Sequence, residues 1–229
     1  YQGNENIILA LSNKFPITLQ VTFWSMFVSL GIALPAGIIS AIKQYSSFDY
    51  IAMFIALLGL SIPNFWLGLM LILYFAINLK VLPATFQVGN WLTLIMPAIV
   101  LGTGMSASVA RMTRSSMLEV KNADYILTAR AKGLPENKVV MKHILGNALI
   151  PIVTTIGGQF GGRLGGSSVT EKVFNINGIG SYIVDKQYIP DIPVVLAGVV
   201  YISFIISIMN LVIDILYAVI DPRIKSRMK

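Results

Sequence analysis

Few side chains in this 229-residue sequence can do chemistry, and their scarcity is informative. There is one histidine, His143, and no cysteine. A single imidazole without thiolates cannot build a zinc site, and disulfides are excluded. His143 has no Ser/Asp arrangement that would make a nucleophilic triad. No Gly-x4-Gly-Lys-Ser/Thr motif occurs, so the chain carries no phosphate cradle of that kind. What stands out instead is charge where charge is costly. Arg163 lies among glycines in one apolar run, and Asp214 lies in another. Ionisable groups in such runs usually face a protein interior or a wet cavity. Arg163 is expected either to meet an anionic group, or to snorkel outward or pair with Glu171. Asp214 is expected to pair with a basic residue; the alternative is a proton-coupling carboxylate.

The elements that hold these residues are apolar. The chain is 55% hydrophobic and only 12% charged, too few charges to solvate an ordinary globular surface. Apolar runs cover residues 17–42, 50–77, 92–110, 149–164 and 194–220, and the first of them can cross a hydrocarbon core of about 30 Å. Residues 1–15 read as an external segment with a short interfacial helix (Ile8, Leu9, Leu11) ending at Pro16. Residues 43–49 read as a tight turn, 78–91 as a loop rich in breakers, and 171–193 as a re-entrant or surface loop. Tyr74, Phe75, Phe86 and Trp91 suit an interfacial aromatic belt. The predicted fold is an all-α polytopic membrane bundle with five spans. No cleavable signal is visible.

Two stretches within the runs are rich in small residues. Gly102 to Ala110 alternates Gly, Ser, Thr and Ala, which permits close helix contact. Gly157, Gly161 and Gly165 recur every four residues, with Gly158, Gly162 and Gly166 beside them. That spacing lays a ribbon without side chains along one helix face. It suits helix packing and, compatibly, a backbone-lined wall of a path that includes Gln159 and Arg163.

The formal charge is +7, and the basic residues sit between apolar runs rather than among aromatics on a soluble face. This points away from nucleic acid and toward membrane topology. Lys43, Arg111, Arg114, Lys121, Arg130, Lys132, Lys138, Lys142 and the tail Arg223, Lys225, Arg227 and Lys229 share one side. Lys14, Lys80, Lys172 and Lys186 lie on the other. The positive-inside rule puts the first side in the cytoplasm, with Tyr1 outside and Lys229 inside.

The longest polar interval is residues 123–151, between the third and fourth runs. It reads as two short amphipathic helices. The first carries Tyr125, Ile126 and Ala129 and ends near Lys132, with Gly133 as its C-cap. Pro135 opens the second, which carries Val139, Val140, Ile144 and Leu145. Apolar on one side and basic on the other, this is a docking knob rather than a catalytic site.

Thr128-Ala129-Arg130-Ala131-Lys132-Gly133, followed by Asn147-Ala148-Leu149-Ile150-Pro151, resembles the cytoplasmic loop of inner-membrane permeases of ABC importers. The variant is that of the dipeptide/oligopeptide/nickel branch: Leu127, Thr128 and Ala129 hold the positions of Glu-Ala-Ala, and the Pro lies further from the Gly. The resemblance continues through Leu164-Gly165-Gly166, Glu171-Lys172-Val173-Phe174, Gly178-Ile179-Gly180 and Asp221-Pro222-Arg223-Ile224. It implies a type I importer transmembrane domain over 16–220 with a coupling loop at 111–148 and a basic tail at 221–229. It also implies that this chain is preceded by a further span in its relatives, making it a fragment. Asp124, Tyr125, Thr128, Ala129, Arg130, Ala131, Lys132 and Gly133 would contact an ATPase subunit, with Ala129 and Gly133 required to be small. Gly158, Gln159, Gly162 and Arg163 would line the translocation path. Glu171, Asn177 and Asp185 would face a solute-binding protein. The implied partners are a second homologous permease, as a heterodimer, two ATPase subunits holding ATP and Mg, an extracellular or periplasmic binding protein, and lipid. The implied cargo is a di- or oligopeptide; the alternatives are nickel or a metal chelate and, in another class, a proton-coupled carrier. The implied setting is a bacterial or archaeal cytoplasmic membrane.

Overall fold

The computed structural model describes residues 6–165, 167–188 and 191–220, with side chains as far as Ile215. The expected basic tail and the Asp221-Pro222-Arg223-Ile224 motif lie outside the described residues. All regular structure among the described residues is helical. The first helix, α1 (Ile7–Ile42), is capped by Asn6, whose side-chain oxygen accepts the N–H of Leu9 at 3.3 Å. It runs through Pro16 and Pro35 as one element of 36 residues. The interfacial helix expected to end at Pro16 is therefore the start of α1. Proline removes one N–H but keeps a helical φ, and a packed apolar helix absorbs that loss.

The second run breaks in two. Helix α2 (Ser47–Ser61) starts on a Ser46 cap, which places Asp49 in its first turn rather than in a loop. Ile62, held extended before Pro63 at ψ 123°, ends it. Helix α3 (Asn64–Leu71) then leaves at 95° to α2 and continues as a π-helical turn, Ile72–Asn78. A short 3-10 turn, Trp91–Leu94, leads into α4 (Ile95–Lys121). Because α4 extends eleven residues beyond Ala110, to Lys121, the charged residues Arg111, Arg114, Glu119 and Lys121 lie on a helix.

The polar interval holds α5 (Asp124–Ala131) and α6 (Glu136–Lys138). A π-helical stretch, Val139–Leu145, joins α6 to α7 (Gly146–Leu164), so 29 residues from Glu136 to Leu164 run on unbroken. The expected separate start of the fourth run near Leu149 is replaced by this continuity, which runs through Gly146 and Pro151. Helices α8 (Ser168–Val173) and α9 (Ile179–Tyr188) fold the expected surface loop onto the bundle. Helix α10 (Ile192–Ile220) closes it. Among the described residues, four helices are long and apolar enough to cross a membrane, five if the bent α2–α3 pair counts as one span.

Helices α1 and α4 form the centre, and glycines set their approach. A methyl added at Gly37 would sit 2.6 Å from Thr113 Cβ, and one at Gly102 would sit 2.8 Å from Val28 Cβ. No real contact is that short, so the helices touch backbone to side chain, as the small residues of α4 suggested. Asp49 braces α2 against α4. Its carboxylate is buried and takes a two-point contact from Arg114, Nε to Oδ1 at 2.7 Å and Nη2 to Oδ2 at 2.7 Å. The Tyr45 N–H also donates to Asp49 Oδ2 at 3.0 Å.

Candidate functional site

Three features could act on other molecules. The first is a cavity of about 560 Å³ between α3, α7 and the chain after α7. Helix α3 supplies Asn64 and Phe65, α7 supplies Gly158, Gln159, Gly162 and Arg163, and the last wall is Ser167, Ser168 and Val169. The four residues singled out by sequence as a path are thus on one surface. The glycine ribbon divides by face. A methyl at Gly157 would sit 2.7 Å from Ile213 Cδ1 of α10, and one at Gly165 would sit 3.2 Å from Ile202 Cγ2. Methyls at Gly158 and Gly162 would meet nothing within 4 Å. One row packs α7 on α10, and the adjacent row opens on the cavity.

Arg163 is half-buried in the last turn of α7. Its guanidinium lies against Gly104 of α4, where an added methyl would be 3.7 Å from Nη2 and 3.6 Å from Asn64 Oδ1. It has no side-chain hydrogen bond or ion pair among the described residues. The expected alternative, pairing with Glu171, does not occur. Glu171 has other partners: Thr18 Oγ1 of α1 donates to its Oε1 at 3.0 Å and the Ser181 N–H donates to its Oε2 at 2.7 Å. The Ile179 N–H donates in turn to Thr18 Oγ1 at 3.0 Å. Gly178 and Gly180 let the backbone close over the carboxylate, for a methyl at Gly178 would sit 2.5 Å from Oε1. Burial pushes the Glu171 carboxyl above the usual range, and the hydrogen bonds from Ser181 and Thr18 only partly oppose it.

Asp214 lies on the exposed face of α10, beside Leu211 and Ile215. It pairs with no base among the described residues and does not line the cavity. The expected ion pair is therefore not found there.

The second feature is the knob. Helix α5 is fixed to the bundle by Ile126, which is fully buried with Met117, Val139, Val140 and Ile144. Burying that side chain contributes roughly 1.5–3 kcal/mol. Ala129 is also buried within this chain, at 8% exposure. Its burial differs from the outward role expected of it and sets it apart from its exposed neighbours on α5. Asp124, Tyr125, Thr128, Ala131, Lys132 and Gly133 are exposed, and so is Leu127. Arg130 is partly exposed and holds Glu136 across the turn at 2.7 Å, tying α5 to α6. Gly133 follows the Lys132 cap at φ 77°, with nothing within 4 Å of an added methyl. Its glycine is needed for backbone conformation rather than for space. Pro135 caps the next helix instead of lying in its first turn.

The third feature is the face at the opposite end from the knob. Asn177 and Asp185 are exposed there, held by Lys14 and Lys172 respectively. Glu171 is 2% exposed, so it is not a contact residue as expected but the internal anchor of that face. Sequence reading missed Asn64, Phe65, Ser167 and Ser168. The Pro63 break was the signal available, since broken spans commonly place their ends at binding sites.

Residues 33–226 match the family of binding-protein-dependent transport system inner membrane components. An oligopeptide transport system permease protein of Bacillus subtilis, AppB, is 42% identical over 221 residues, covering 93% of this chain and 70% of the relative. The dipeptide transport system permease protein DppB of Escherichia coli K12 is 38% identical, covering 93% and 72%. The glutathione transport system permease protein GsiC of the same organism is 43% identical, covering 94% and 70%. Among solved structures, a chain of the MetNI methionine ABC transporter in an inward facing conformation superposes with a TM-score of 0.79. It is 21% identical and covers 96% of this chain and 100% of its own length, which speaks to fold alone.

Proposed function

The chain belongs to the family of binding-protein-dependent transport system inner membrane components, and on that premise we propose that it moves di- or oligopeptides by alternating access. It is a multi-pass membrane permease subunit of an ABC importer, a transport component and not an enzyme, with ATP hydrolysis on separate subunits. The cargo reading is supported by relatives at 38–44% identity that are dipeptide, oligopeptide and glutathione permeases. ATPase and binding-protein partners follow from membership; pairing with a second, related permease is part of the proposal. So are nucleotide and Mg on the ATPase partners only, the cytoplasmic position of the knob, and the outer position of Asn177 and Asp185.

The observation that carries the mechanism is the unbroken helix from Glu136 to Leu164. Its first residues belong to the knob, and its last turns carry the cavity wall. Closure of an ATPase pair on Tyr125, Leu127, Thr128, Lys132 and Gly133 would tilt this helix and re-pack α7 against α10. Packed interfaces of this kind switch between discrete arrangements. Nickel or a chelate remains the runner-up within the branch, and no cluster of three or more His, Asp or Glu side chains that could hold a metal occurs among the described residues. The proton-coupled reading would need Asp214 at the cavity, and it lies elsewhere.

The test is reconstitution of the permease pair, ATPase subunits and binding protein in liposomes. Gly133→Val forces a β-branched residue to positive φ while meeting no neighbour. We expect normal insertion, persistent ATP hydrolysis and uptake reduced at least about tenfold, a loss that about 1.4 kcal/mol of coupling would produce. Normal uptake by this variant would refute the assignment of the knob.

A further inference from the structure

We propose that Arg163 is a receiving group for the carboxylate of the peptide in transit, a proposal that rests on the importer reading above. The argument begins with the charge. Arg163 projects from the last turn of α7 into the cavity and has no counter-ion among the described residues. Glu171, eight residues further on in sequence, is turned away to Thr18 and Ser181. Among the described residues no acid lines the cavity, and the one charged side chain in its wall is Arg163. A half-buried cation near lipid is costly unless something complements it.

The walls suit a carboxylate with a peptide behind it. The guanidinium offers paired N–H donors in the plane that a carboxylate matches. Asn64, Gln159, Ser167 and Ser168 supply amide and hydroxyl groups to the same space. Gly158 and Gly162 leave open space beside Gln159 and Arg163 on the α7 wall, so a backbone of variable sequence passes without a fitted pocket. A volume of about 560 Å³ lies within the range of small-ligand sites. The recognition is of what all peptides share, the terminal carboxylate, and not of their side chains. Arg163 stands at the end of α7 remote from the knob, where cargo released by a binding protein would enter.

The same chemistry would hold a lipid headgroup phosphate, so the experiment separates the two. The chain has no cysteine. Val169→Cys therefore places one thiol in this subunit at the cavity wall. The complete transporter, with its other subunits free of reactive cysteine, is placed in nanodiscs of zwitterionic lipid. Modification rates are compared for the anionic thiosulfonate MTSES and the cationic MTSET. We expect the MTSES/MTSET rate ratio to fall about tenfold when Arg163→Gln is added, and to be kept by Arg163→Lys. We also expect dipeptide with its binding protein and ATP to slow MTSES. Absence of any charge preference would overturn the proposal, because an acid of the second permease would then neutralise Arg163. Protection that follows added anionic lipid and not cargo would overturn it as well. Failure of the importer reading shows separately, as no stimulation of ATP hydrolysis by loaded binding protein in the parent transporter.

Discussion

Alanine at Gly157 and alanine at Gly158, adjacent on α7, should move the stability of the assembled transporter in opposite directions. A methyl at Gly157 would lie 2.7 Å from Ile213 Cδ1 and 2.9 Å from its Cγ1 and Cγ2. Carbon atoms rest at about 3.5–4.0 Å, so the overlap is close to 1 Å on three atoms at once. Ile213 is buried at 9% exposure and cannot swing clear without leaving its rotamer. Overpacking of this kind costs about 1–3 kcal/mol. At Gly158 the methyl meets open space, and alanine favours the helix by up to about 1 kcal/mol. The neighbours should therefore differ by about 2–4 kcal/mol. Thermal unfolding of the purified complex in mild detergent reads this as about 2–4 °C per kcal/mol for a chain of this size. Ile213→Val, which removes the closest atom, should restore part of the loss in Gly157→Ala, giving a coupling visible in a double-mutant cycle. Equal losses at both glycines, or additive effects of Gly157→Ala and Ile213→Val, would refute the division of the ribbon into a packed and an open row.

Two further predictions concern the buried carboxylates. Asp49→Asn breaks the contact with Arg114 and leaves its charge behind; a loss of about 3 kcal/mol is expected, the low end for a buried pair because Arg114 remains 25% exposed. Arg114→Gln in the same background should cost less than it does alone, measured as melting temperature across the four variants. Glu171 has a raised carboxyl pKa, so the folded chain holds this proton more tightly than the unfolded chain does. Stability from this group is present at low pH and declines as pH rises from the unfolded value of about 4.5 through the folded one. Glu171→Gln should flatten that decline in melting curves taken between pH 4 and 8, and an unchanged slope would refute the assignment.

The helical bundle and its cavity wall were legible because they depend on local periodicity. The four-residue recurrence of glycine on α7 placed Gly158, Gly162 and Arg163 on one surface, and the Gly133 cap followed from the end of an amphipathic segment. What was illegible depended on distant partners. Glu171 looked like a surface acid among polar residues, yet its hydroxyl donor, Thr18, is 153 positions away. Ala129 was placed on a docking face by the resemblance, yet it is buried within this chain. Proline misled twice in opposite senses. Pro16 sits inside a continuous helix, whereas Pro63 accompanies a 95° bend. The same ring chemistry gave both outcomes, because the surrounding packing decides whether a missing N–H is absorbed or becomes a corner.

The helix from Glu136 to Leu164 is also a lever. Twenty-nine residues at 1.5 Å each make a rod of about 43 Å, with the knob at one tip and Arg163 at the other. Pivoting such a rod by about 5° around one tip sweeps the other through about 4 Å, more than the rise of one residue in an extended peptide. In the proposed mechanism, a small thrust at the knob would therefore move the far end by a distance of molecular size.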